Sequence, residues 1–86
     1  MSKDELRQRV EDIFRDVVDA PGVVFDEQLA AGELAQWDSL AHINLVSSLE
    51  KQFRIRFSLS EIDQMKTVGS ILRLLEKKLA PKDHVV

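Results

Sequence analysis

Ser39 is the residue in this 86-residue chain best placed to carry a modification. It follows Asp38 directly. It precedes a strongly periodic stretch in which Ile43, Leu45, Val46, Leu49 and Phe53 fit one broad helical face. Asp38 has the chemistry of an N-cap, because its carboxylate can accept from a backbone N–H two or three residues on. Ser39 then falls in the first turn, near the positive end of the helix dipole. An anion attached there is stabilised by unpaired N–H groups and by the dipole. The pattern is an exposed hydroxyl prepared for a phosphate ester. It is not an activated nucleophile: among nearby residues only His42 could act as a base, and helical spacing turns His42 inward.

Other reactive chemistry is scarce. Cysteine is absent, which excludes disulfides, thiolate zinc sites and a cysteine nucleophile. The two histidines, His42 and His84, are far apart, so no metal site is assigned. His84 belongs to the tail and is expected in solvent. No residue is assigned a catalytic role.

Charge and length narrow the classes further. The chain reads as a single domain, 1–86, with one modest core and little left to build a deep cleft. Net charge is −3, unevenly spread. Residues 1–38 hold four basic and ten acidic side chains, and residues 39–86 hold eight and five. An acidic leading half and a mildly basic trailing half suit oriented docking on a protein. The basic residues are scattered and not interleaved with aromatics, so nucleic acid is not an expected partner. No apolar run is long enough for a membrane span. The charged N-terminus lacks the apolar segment of a signal peptide, so a cytoplasmic location is expected.

The elements that must position Ser39 read as helices. Residues 3–19 form the first, with Ser2 and Glu5 as a capping box and Leu6, Val10, Ile13, Phe14, Val17 and Val18 inward. Ala20-Pro21-Gly22 stops it. Residues 20–38 form a long connection that must pack down to be tolerated. Its anchors are Val23, Val24, Phe25, Leu29, Leu34 and Trp37, and Gly32 interrupts any helix near 27–31. Residues 39–53 form the second helix. At about 100° per residue, His42, Leu45, Val46, Leu49 and Phe53 gather on the core side. Leu40 and Ile43 fall off that side, as a small apolar patch beside Ser39. Ile55 and Phe57 turn inward. Ser58 and Ser60 offer caps, and Ser60 with Asp63 suits a short helix over about 61–65. Thr67 caps a last helix over 68–79, ended by Pro81. Residues 82–86 are expected to fray.

Asp38-Ser39-Leu40, followed by Leu45-Val46, Leu49-Glu50, Phe53 and Ile55 and then by Thr67-Val68 and Leu75, resembles the acyl carrier protein family. The resemblance spans nearly the whole chain. It implies an all-α, four-helix acyl-carrier-protein-like bundle with three longer helices and a short third. It also implies a 4′-phosphopantetheine arm on Ser39, taken from coenzyme A by a phosphopantetheinyl transferase. Asp38 is then the cap within the motif, and Leu40 contributes to docking. Ile43, Ser47 and Glu50 are candidate docking residues on the second helix. The implied partners are that transferase, an acyl- or aminoacyl-loading ligase and downstream biosynthetic enzymes, with the chain a monomer.

The departures are informative. Carriers of fatty acid synthesis have several acidic residues along the second helix, whereas Ala41, Asn44, Lys51 and Gln52 stand here. A specialised pathway is the reading they favour, with an aminoacyl or peptidyl carrier, or a cofactor-free interaction domain, as alternatives. His42 stands where related carriers often have a small polar residue. It is either a hydrogen-bonded, partly buried histidine or the mouth of an acyl pocket.

Overall fold

The computed structural model describes residues 2–20 and 22–79. Pro21, the frayed tail expected at 82–86, Pro81 and His84 lie outside the described residues. Four α-helices follow one another: α1 (Lys3–Val17), α2 (Ser39–Phe53), α3 (Leu59–Gln64) and α4 (Val68–Leu79). A 3₁₀ turn at Ala31–Glu33 interrupts the connection between α1 and α2. The described residues contain no strand, only an isolated bridge between Ala30 and Thr67. This is the all-α, four-helix architecture that the periodicity and the resemblance implied.

Each helix begins where local chemistry supplies an acceptor. Ser2 Oγ accepts from the Glu5 N–H at 3.1 Å, and Glu5 Oε1 accepts from the Ser2 N–H at 3.0 Å, a reciprocal capping box. α1 stops at Val17, two residues sooner than expected, because Val18 turns to extended backbone and buries its side chain in the core. α3 starts at Leu59, two residues earlier than expected. Ser58 is its cap: Ser58 Oγ accepts from the Glu61 N–H at 3.1 Å, and Glu61 Oε1 accepts from the Ser58 N–H at 2.8 Å. The Ser60–Asp63 pair has no such reciprocity and forms no cap. Asp63 cannot compete with a glutamate already reaching back to the preceding loop.

Two glutamates in these boxes are held below their ordinary pKa. For Glu61 the leading cause is the N–H of Ser58, followed by the Lys78 ammonium, whose Nζ lies 2.9 Å from Glu61 Oε1. For Glu5 it is the N–H of Ser2. A depressed folded-state pKa means the unfolded chain takes up protons first as pH falls. The stabilisation is therefore complete above the ordinary value of 4.5 and is lost as pH drops through the lower folded value. Glu61→Gln should lower the urea midpoint at pH 7. The gap from the wild-type chain should close on acidification below that value, and an undiminished gap at low pH would refute the assignment.

The core is one apolar cluster. Val10, Phe14 and Val18 of the first segment meet Leu45 and Leu49 of α2, and Met65, Val68, Ile71 and Leu75 complete it. Phe14 lies at its aromatic centre, 5.4 Å from the Phe25 ring and 5.1 Å edge-on from the Trp37 ring. The long α1–α2 connection packs through Phe25, Leu29 and Trp37, as its composition required. Val24 departs from that expectation at 73% exposed. Adjacent Val23 and Phe25 already turn inward, and extended backbone sends the residue between them to the other side. Gly32 does not end a helical turn but lies inside one.

Backbone accounting explains why this connection is ordered. Arg7 donates to the Phe25 carbonyl at 2.7 Å, and Arg15 donates to that of Val23 at 3.1 Å. Asp26 Oδ1 accepts from the N–H groups of Gln28 and Leu29. Ala31 N–H donates to the Lys66 carbonyl at 3.0 Å. The connection then closes the tip of α4. Val68 N–H donates to the Leu29 carbonyl at 2.9 Å and Gly69 N–H to that of Glu27 at 3.0 Å. Thr67 Oγ1 takes the third orphan donor, Ser70 N–H. Gly69 eases this close approach, since a Cβ would lie 3.0 Å from the Glu27 carbonyl oxygen, tighter than most side-chain carbons sit.

Candidate functional site

The tip of α2 contrasts with the tip of α4. Asp38 Oδ1 accepts from the Ala41 N–H at 2.9 Å, and the Asp38 carbonyl accepts from His42 N–H at 2.8 Å. The N–H groups of Ser39 and Leu40 find no acceptor among the described residues. They face outward at the positive end of a 15-residue helix. Open tips also occur at α1 and α3, but the first helical residue there is Lys3 or Leu59. At α2 it is a serine, exposed, whose hydroxyl makes no hydrogen bond among the described residues.

An open hollow of about 370 Å³ adjoins this serine. Trp37, Asp38, Ser39, His42, Met65 and Lys66 are among the residues that line it. Lys66 is the cation of the hollow, and Asp38 is its carboxylate, already committed to capping. A phosphate ester on Ser39 would therefore meet two free N–H donors and a helix dipole, in a hollow that a lysine also lines, and these offset the nearby carboxylate. The residues present fit such a group.

His42 is half-buried and bonded on both sides. Trp37 Nε1 donates to His42 Nδ1 at 3.1 Å, and His42 Nε2 lies 3.5 Å from the Ile62 carbonyl. An indole nitrogen can only donate, so Nδ1 is the bare nitrogen and Nε2 carries the proton. That lone pair is spent on the core and does not face Ser39 as a base. The expectation of a hydrogen-bonded, partly buried histidine describes its contacts. The same ring also walls the hollow, so both readings of His42 refer to one position.

The remaining sequence candidates lie on α2. Leu40 is 68% exposed and Ile43 60% exposed, beside Ser39 as the spacing predicted. Ser47 is exposed farther along the same side. Glu50 is half-buried and has a task inside the chain: Glu50 Oε2 accepts from the Phe57 N–H at 2.9 Å, and its carbonyl accepts from the Ile55 N–H at 3.2 Å. Sequence reasoning did not identify Lys66 or the Trp37–His42 bond. Lys66 is 27 positions beyond Ser39, and no local spacing signals their approach. Among the described residues, no group of three or more metal-binding side chains is assembled and no helix is long and apolar enough to cross a membrane.

Comparison with known proteins places this geometry. A family model described as a phosphopantetheine attachment site matches residues 7–75. The acyl carrier protein of Amoebophilus asiaticus is 37% identical over 79 residues, covering 91% of this chain and 98% of that protein. The acyl carrier protein of Petrotoga mobilis is 33% identical over 86 residues, covering 98% and 99%. The solution structure of the holo acyl carrier protein from Geobacter metallireducens aligns with a TM-score of 0.78 at 39% identity, over 86% of this chain and 85% of that one. A Mycobacterium tuberculosis structure at 18% identity and a TM-score of 0.77, covering 85% and 97%, shares the fold.

Proposed function

This chain belongs to the acyl carrier protein family, and from that premise we propose that Ser39 is where its phosphopantetheine arm is attached. Phosphopantetheine is the covalent prosthetic group of the family; its terminal thiol holds cargo as a thioester. One observation carries the assignment. The Ser39 hydroxyl is exposed on the open tip of α2, with two unsatisfied N–H groups at that tip and Lys66 lining the same hollow. Asp38 fixes the helix start, and so fixes where that hydroxyl points. His42 and Trp37, bonded to each other, line the hollow beside it. The chain's own contribution is presentation: it holds the attachment point in solvent and is recognised by the enzymes that load and unload it. A cytoplasmic location belongs to the same reading, with the arm drawn from coenzyme A.

The pathway reading goes further. Leu40, Ile43, Asn44, Ser47 and Lys51 make up the exposed face of α2. The carboxylates near that face, Asp38 and Glu50, are turned to the chain's own N–H groups at Ala41 and Phe57. An enzyme of fatty acid synthesis that docks by finding acidic side chains has little to hold here. A specialised pathway, loaded by an acyl- or aminoacyl-activating ligase, suits this face better. The test presents the arm-bearing protein to a malonyl transferase of fatty acid synthesis and to a panel of acyl- and aminoacyl-activating ligases. Some ligase should load it at least about tenfold faster than the transferase, since charge complementarity acts mainly on encounter rate. Full-rate malonyl loading would return the chain to housekeeping synthesis.

A further inference from the structure

At the far end of α2 the surface changes character. Ser47, Glu50, Lys51, Arg54, Ile55 and Arg56 line an open hollow of about 530 Å³. Three cations thus surround one carboxylate, and that carboxylate already accepts from Phe57. Lys51, Arg54 and Arg56 are all exposed, and none makes an ion pair or side-chain hydrogen bond among the described residues. Some cations elsewhere are engaged, Arg15 with Glu11, Lys78 with Glu61 and Arg7 with a loop carbonyl, whereas Lys3, Lys66, Arg73 and Lys77 have no such partner among the described residues.

Arg54 adds an independent observation. It caps α2 at φ 56° and ψ 50°, the left-handed region, and is the only non-glycine residue with positive φ among the described residues. Glycine would adopt that conformation without strain, and it is the usual residue at such a position. The chain instead accepts the strain and keeps a guanidinium over the hollow, the kind of outlier that points to a surface in use. Leu40, Ile43, Asn44, Ser47 and Lys51 fall within about 100° of one another on α2, so an exposed track leads from Ser39 to this hollow. At about 1.5 Å per residue it is roughly 20 Å long.

We propose that the hollow at Lys51, Arg54 and Arg56 receives an acidic segment on the surface of a partner enzyme, seating that enzyme along α2 with its entrance over Ser39. The proposal rests on the carrier reading. Charge complementarity selects the occupant, because a dense group of unpaired cations beside an apolar strip fits clustered carboxylates.

The test titrates an acetylated hexaglutamate peptide into the full-length, ¹⁵N-labelled, arm-bearing protein. Amide shifts should concentrate at residues 47–56 and fade with added salt. Lys51→Glu with Arg56→Glu should raise the midpoint at least about fivefold, with the circular dichroism spectrum unchanged. Arg54→Gly relieves the left-handed strain and should raise thermal stability while weakening the peptide. Shifts centred on Arg73 and Lys77, unchanged binding by Arg54→Gly, or tighter binding of phosphatidylglycerol vesicles than of the peptide would each overturn the proposal. Intact mass of the same samples reports arm attachment separately, so a failed carrier reading is distinguishable from a failed docking site.

Discussion

Ser39→Ala should abolish phosphopantetheine addition completely, because it removes the only atom that can form the ester at the tip of α2. The expected result is binary. After incubation with coenzyme A and a broad-specificity phosphopantetheinyl transferase, the wild-type chain gains one arm by intact mass, and the variant gains none. Stability should change by less than about 0.5 kcal/mol, as for other exposed positions without buried contacts. The Ser39 side chain touches no acceptor or donor whose loss would be felt, and Ala41 N–H keeps its cap on Asp38. Circular dichroism and the urea midpoint check that expectation. Addition of one arm to the variant would move the attachment to another hydroxyl and undo the functional reading.

Trp37→Ala should produce the largest loss of stability. Trp37 is 2% exposed and stands edge-on to Phe14 at 5.1 Å. Truncating a buried tryptophan costs about 3–5 kcal/mol, through lost transfer energy and the cavity left behind. A domain of this kind has only about 5–15 kcal/mol in total. Trp37→Phe separates two contributions. It keeps a ring against Phe14 but leaves His42 Nδ1 without its donor, a loss of about 1 kcal/mol when water can take the place. Urea unfolding of the three proteins gives the ladder, with alanine far below phenylalanine. Equal losses for the two variants would mean that the hydrogen bond, not the packing, dominates. Because Trp37 adjoins Asp38, the alanine variant should also loosen the start of α2 and slow arm addition. Phenylalanine should preserve the rate.

The sequence alone determined the features that close over three or four residues. The caps at Ser2, Asp38 and Thr67 were legible because donor and acceptor are neighbours in the chain. The apolar sides of α1, α2 and α4 were legible because burial repeats with the helical period. Exposure of Ser39, Leu40 and Ile43 followed from the same period. Local pattern failed where two local solutions competed: Ser58 and Ser60 both suit a cap, and only the reach of Glu61 back to Ser58 chose between them. Only tertiary structure decided the pairings between distant segments. Glu27 and Leu29 close the tip of α4, Trp37 claims the lone pair of His42, Lys66 comes to line one hollow with Ser39, and Glu50 turns to Phe57. Each joins elements whose relative placement comes from filling one shared core. Packing many side chains together is a global condition, and no single stretch of residues contains it.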